Sequence, residues 1–274
     1  MRLEYIGSAG TIDLTIFETR IYKENFHAYE WGYTGTEKTL GIALDQFTKQ
    51  PLEYEMTVAV RGTEAAKKAA LNNLLEITEQ DVINMTPGKL YWNEHYLECY
   101  IIASETYPSD DFFGVERAMK IFAPHPFWIK ETKRTFYPAA EQQRDEDYLD
   151  YPYNYKHDYR RESPGMARWN VDHFADSEFE MTIRGYCVNP IIRINGHPYQ
   201  VFTTLEANDS LVIKSKEREA VKWISGVVSQ NVFDLRAKDS SIFKRVPGGL
   251  LTFTWSGLFG FDIKLLLERS EPKW

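Results

Sequence analysis

The chain has 274 residues, of which 40 are Asp or Glu and 32 are Lys or Arg, giving a formal net charge of -8. That balance excludes a protein that wraps nucleic acid, because displacing counterions from phosphates calls for clustered Lys and Arg. A composition 43% hydrophobic and 15% aromatic supplies ample apolar surface for a self-folding chain, and the length suits two domains. Cys99 and Cys187 lie far apart in stretches that read as strand, which predicts two buried thiols and folding in a reducing compartment. The start, MRLEYIGSAGTIDLTIF, lacks the basic head and unbroken apolar core of a secretory signal. No apolar run approaches the roughly 20 residues of a membrane span.

In chain order, the first clear signal is LEYEMTVAVRG. Tyr54, Met56, Val58 and Val60 fall on one face and Glu53, Glu55, Thr57 and Arg61 on the other, the pattern of a half-buried strand. After Gly62, EAAKKAALNNLLEITEQDVI is rich in helix formers and predicts a helix over about 64–83, with Thr63 as N-cap and Leu71, Leu74, Leu75, Thr78 and Val82 on one side. Pro87-Gly88 turns the chain into KLYWNEHYLECYIIASET, a pair of strands. FAPHPFWIKE follows at 122–131. Pro124 and Pro126 carry no N–H and bias the residues before them toward extended geometry, so a sheet must end there. Phe127 and Trp128 are too apolar for a free linker, so the joint is packed as well as broken. Residues of about 140–165 form a Tyr- and Asp-rich tract that reads as a long loop or arm. Beyond it, SEFEMTIRG repeats the alternation, with Phe179, Met181 and Ile183 pointing inward. Asn195-Gly196, Asn208-Asp209 and Pro247-Gly248-Gly249 then place turns at hairpin spacing, which argues for an all-β sandwich or barrel.

The chemistry-bearing residues are sparse. There is no nucleophile elbow, phosphate loop, dinucleotide fingerprint, H-E-x-x-H or clustered cysteine pair. His95 is flanked by Glu94 and Glu98, but successive residues of a strand face opposite ways, so it reads as a surface histidine and not a metal ligand. His125 and His197 occupy turn positions and read as local caps of the backbone. Asp145, Glu146 and Asp147 could supply a glycosidase pair, yet three acids in a polar segment read as solvated. Tyr148, Tyr151, Tyr153, Tyr155 and Tyr159 with Arg160 and Arg161 could stack sugars or bases, but Tyr and Arg interleaved with acids fit a protein interface better. Trp169, Trp223 and Trp255 read as core or half-buried, with a sugar platform as the alternative.

The order of features resembles the distal tail protein (Dit) family of long-tailed bacteriophages and prophages. FAPHPFW at 122–128, DYPYNY at 150–155, NPIIRINGHPY at 189–199 and SSIFKRVPGG at 240–249 carry the resemblance. It implies a mainly β chain: a ring-forming, split-barrel-like β domain with one helix over 1–130, then a galectin-like β-sandwich over 131–274. Pro124, Pro126, Phe127 and Trp128 form the joint, the prolines ending one sheet and Phe127-Trp128 starting the next. It further implies a hexameric ring at the virion tail tip, assembled in the bacterial host cytoplasm. Its partners would be copies of itself, the tail tube protein, the tail-associated lysin or hub, and a receptor-binding protein. DNA would pass through the lumen without specific binding. No catalytic, cofactor-binding or metal residues, and no membrane, are expected. The reading kept beside it is a carbohydrate-binding β-sandwich module.

Overall fold

The computed structural model describes residues 2–108, 114–138 and 165–273. The chain is mainly β with one α-helix, and it divides into two compact units. The first holds the chain up to Lys130 together with the segment from Glu268, and the second runs from Glu131 to Leu267.

The first unit contains β1 (Leu3–Ile6), β2 (Thr11–Asp13), β3 (Thr19–Glu24), β4 (Gly32–Lys38), β5 (Gly41–Thr48), β6 (Leu52–Arg61), α1 (Glu64–Ile83), β7 (Gly88–Trp92), β8 (His95–Pro108) and β9 (Gly114–Ala123). The long β8 serves two ladders: its first half pairs with β7 and its second half with β9. Strand order is therefore β2-β1-β7-β8-β9-β6-β3. No ladder joins β2 to β3 among the described residues, so the sheet stays open and the barrel is split. The predicted alternation of β6 places Tyr54, Met56, Val58 and Val60 at 2% exposure or less.

The helix starts and stops where the sequence predicts, with Thr63 Oγ1 accepting from Ala66 N. Its buried face, however, is Leu74, Ile77, Thr78 and Asp81, while Leu75 and Val82 are exposed. The correction has a polar cause. Asp81 is fully buried, and its carboxylate accepts from Tyr5 Oη at 2.7 Å, Ser8 N at 2.7 Å and Ser8 Oγ at 2.6 Å. Three donors satisfy a charge that would otherwise be costly to bury. Close approach makes this possible: a Cβ on Gly7 would stand 2.4 Å from Asp81 Oδ2, and one on Gly88 would stand 2.2 Å from Tyr5 Oη.

Next come β10 (Trp128–Phe136), β11 (Met166–Val171), β12 (Glu178–Arg184), β13 (Cys187–Val188), β14 (Ile191–Ile194), β15 (His197–Gln200), β16 (Thr204–Leu205), β17 (Ser210–Lys214), β18 (Glu219–Ile224), β19 (Val228–Asn231), β20 (Gly249–Trp255) and β21 (Gly260–Arg269). Trp128–Lys130 pair with β8 in the first unit. In the second unit one sheet has the order β19-β18-β17-β12-β21-β10 and the other β11-β20-β14-β15. Their inner faces meet in a sandwich core that includes Phe136, Phe179, Met181, Ile192, Phe253, Phe261 and Ile263. The β14–β15 turn is the predicted Asn195-Gly196, with φ of 47° and 84°, the pair of positive angles a type I′ turn requires. Cys99 and Cys187 are free and buried.

Three histidine expectations are corrected. His95 is 3% exposed and not on the surface. Burial, reinforced by the Arg269 and Lys130 cations, pushes its pKa down to about 4. His125 Nε2 meets Glu268 Oε1 at 3.1 Å, and His197 Nε2 meets the Ser241 carbonyl at 2.8 Å. Both tie distant segments together instead of capping local backbone.

Candidate functional site

Beyond its core, the first unit builds an unusual surface. Among the described residues, β4 and β5 pair only with each other, forming a two-stranded ribbon. Neither face is covered: Tyr33, Ile42, Leu44 and Phe47 are each about half exposed, and Leu40 is 99% exposed. An isolated hairpin is marginal in water, and a row of bare aliphatic and aromatic side chains adds an unfavourable hydration cost. The ribbon is built to be covered.

The base of the ribbon is clamped. Lys49 Nζ, just after β5, stands 4.8 Å from the Trp31 ring centroid, 5.1 Å from Tyr29 and 5.4 Å from Phe127, and it donates to Ser270 Oγ at 3.0 Å. Three rings around one ammonium favour the cation by their quadrupoles, while its partial burial lowers its pKa. Trp31, Lys49 and Phe127 thus join both ends of the ribbon to the proline joint. There, Pro126 is buried and Phe127 N donates to the His125 carbonyl at 2.8 Å. Trp128 is fully buried in the first unit's core, 5.8 Å from the Phe26 ring, so it completes that core before β10 moves on into the second unit.

In the second unit the outward face of the larger sheet carries a charged cluster. Asp262 on β21, 7% exposed, accepts from Thr135 Oγ1 at 2.6 Å, pairs with Lys133 at 3.2 Å, and pairs with Arg184. These groups line a cavity of about 460 Å³ with Tyr137, Gly185 and Gly260. Ladder register aligns Trp223, Ser210, Arg184 and Gly260 across this face. Of the other indoles, Trp255 is 9% exposed and donates to the Phe259 carbonyl, and Trp169 packs against the core.

Tyr148, Tyr151, Tyr153, Tyr155, Tyr159, Arg160 and Arg161 lie outside the described residues, as do Asp145, Glu146 and Asp147. No group of three His, Cys, Asp or Glu side chains suited to a metal ion occurs among the described residues. No described helix is long and apolar enough to cross a membrane. The ribbon escaped sequence reading because its spacing, Ile42 and Leu44 separated by Ala43, is the same as that of an ordinary half-buried strand.

No protein-family model and no curated protein matches the sequence. Solved structures do match. The crystal structure of the SPP1 Dit protein, described as a paradigm of hub adsorption apparatus in Gram-positive infecting phages, covers 98% of this chain and 100% of its own at 9% identity, with a TM-score of 0.62. A chain of the phage P2 baseplate in its activated conformation with Ca covers 99% and 100% at 13% identity, with a TM-score of 0.64. The same baseplate with Sr gives 12% identity and a TM-score of 0.62. Such identities speak to fold alone. Along nearly its whole length, this chain has the fold of the SPP1 Dit protein and of the P2 baseplate chain.

Proposed function

We propose that the chain is a structural protein of a phage tail tip, forming a hexameric ring that joins the tail tube to the tail-associated lysin or hub and to the host-adhesion apparatus. The observation that carries this reading is the likeness to Dit and baseplate structures over 98–99% of the chain, spanning both units. The uncovered ribbon supports it, because a ring needs head-to-tail contacts whose rotation closes, and a projecting apolar hairpin can lie against the next copy. Neither calls for catalysis, a cofactor or a membrane. The acidic net charge suits a lumen through which DNA slides without being held.

The test is microscopy of assembled tails, or of the chain complexed with its hub partner. Six copies of a 32.0 kDa chain make a ring of about 190 kDa. A dimer, a trimer or an open filament at that position overturns the proposal. In the encoded neighbourhood we expect a tape-measure protein upstream and a tail lysin or hub downstream. Tyr151, Tyr153 and Tyr155 are proposed as partner contacts. Their joint replacement by Ala should weaken docking by about 2 kcal/mol or more per ring without unfolding the chain, read by pull-down alongside circular dichroism.

The outward row of Trp223, Ser210 and Arg184, with Asp262 paired to Arg184, is the one observation that favours a carbohydrate-binding module instead. A glycan array on the full chain separates the two readings. A tail-tip adaptor gives a blank array, and saccharide binding abolished by Trp223→Ala supports the module.

A further inference from the structure

β9 reads GVERAMKIFA, and its inward-facing row is Val115, Arg117, Met119, Ile121 and Ala123. Four apolar side chains and one guanidinium share that face. Register sets Arg117 between Val58 on β6 and Thr106 on β8, and Val58 and the neighbouring Val60 are fully buried. Arg117 itself is 9% exposed. Its Nη2 donates to Ser104 Oγ at 2.8 Å, while its Nε finds no acceptor among the described residues, and no described carboxylate stands within ion-pair distance.

The other buried charges are answered. Asp81 takes three donors, Asp209 pairs with Lys222 at 3.0 Å, and Asp262 sits between Lys133 and Arg184. Among the described residues, Arg117 is the buried cation with no counter-charge. Burying an arginine beside one neutral hydroxyl is costly, because the guanidinium loses water and gains no anion. The surroundings point outward for the missing partner. Ser104 lies in the stretch from Ile102 to Pro108, every residue of which is exposed. In that stretch β8 pairs with β9 on one side and with no described strand on the other. The fork therefore ends beside an open sheet edge, where an arriving strand can dock and deliver an acidic side chain.

We propose that Arg117 is an anion receptor at an interface, and that its occupant is a carboxylate of a second copy of this chain. This rests on the ring reading above. An acidic chain offers many exposed carboxylates to a neighbour, and arginine paired to carboxylate in a desolvated seam is a frequent interface anchor. A neutral aliphatic side chain at 117 would serve the isolated chain better, so the guanidinium is explained by what it meets on assembly.

The experiment uses the full chain and Arg117→Met. Removing an unanswered buried charge should raise the melting temperature of the unassembled chain by about 2–4 °C, while assembly measured by mass photometry weakens tenfold or more. A lowered melting temperature would mean that the guanidinium is already compensated within the chain, and would overturn the inference. The same fall in an Asp110→Asn, Asp111→Asn double variant would locate that compensation in residues 109–113. Wild-type-like ring formation by Arg117→Met also overturns it. If the wild-type chain forms no ring with its neighbours, the ring reading fails instead. Inorganic phosphate that stabilises the wild type but not Arg117→Met would show a free-anion site and rule out the second copy as occupant.

Discussion

Asp262 in the second unit and Arg117 in the first are both charges carried on strands and buried to more than nine-tenths. Asp262 has a hydroxyl and two cations around it, whereas Arg117 has one hydroxyl. Apolar surface differs in placement, since the second unit's exposed Phe174, Val227 and Leu258 are scattered over separate segments. The second unit closes two sheets over one core, and the first fills its own core but holds out a bare ribbon. A unit whose buried charges are matched internally needs no partner to complete them. On the proposed reading, a unit that leaves a buried charge and an apolar ribbon unmatched is completed by contact with a neighbour.

The sharpest way to break this comparison is to remove the ribbon's apolar character. Ile42→Ser, Leu44→Ser and Phe47→Ser together should reduce assembly by two orders of magnitude or more, since interface anchors contribute about 2 kcal/mol each. The melting temperature of the unassembled chain should move by only about 1–2 °C, because exposed side chains contribute little to the monomer. A collapse of the fold would show that the ribbon packs within its own chain. Concentration-dependent mass photometry with a parallel thermal melt reads both.

If the first unit is incomplete only at its surface, its interior must be as exacting as the second's. Asp81→Ala leaves Tyr5 Oη and the Ser8 donors unpaired in a dry site and should cost about 2–4 kcal/mol in urea unfolding. A cost below about 1 kcal/mol would mean that the helix–sheet contact is loosely packed.

His95 tests the same interior by pH. Its folded pKa of about 4 lies below the roughly 6.5 of an unfolded histidine. The unfolded state thus binds the proton more readily between these values, and stability falls as pH drops through that window. His95 should therefore cost about 2 kcal/mol by pH 5 relative to pH 7, and His95→Gln should flatten that part of the stability profile. An unchanged profile would place the proton elsewhere.

The smallest effect is expected at Asp262. Lys133 and Arg184 keep 60% and 55% of their side-chain surface in solvent, so Asp262→Ala frees them to hydrate and should cost about 1 kcal/mol or less. A larger loss would show that the second unit's outward cluster is structural to its core.

What the sequence discloses divides along a physical line. Tyr54 to Val60, the helix from Glu64 to Ile83 and the Asn195-Gly196 turn were legible because local spacing and backbone preference decide them. The face of the helix was not. Leu74 and Leu75 are neighbours in sequence, yet one is buried and the other exposed, and the choice fell to Asp81, whose partners Tyr5 and Ser8 are more than 70 residues away. His95 was misread because its burial depends on the strands on either side of it, β7 and β10, which spacing within β8 does not show. Arg117 stands in plain view as a charge in an apolar row, but its meaning depends on whether a carboxylate meets it, which spacing cannot say. The interface residues chosen from the tyrosine tract lie outside the described residues, so the ribbon and the β8 edge enter here from structure alone.

The segment from Glu268 is held to the first unit through His125 and Lys49, which has a consequence for the order of synthesis. A ribosome releases the amino-terminal end first, so most of the first unit has left the ribosome while its last piece is still being translated behind the whole second unit. The clamp at the base of the ribbon therefore closes only on a chain made through Ser270. Fragments released early by premature termination would lack the Lys49–Ser270 and His125–Glu268 contacts that tie this segment to the first unit.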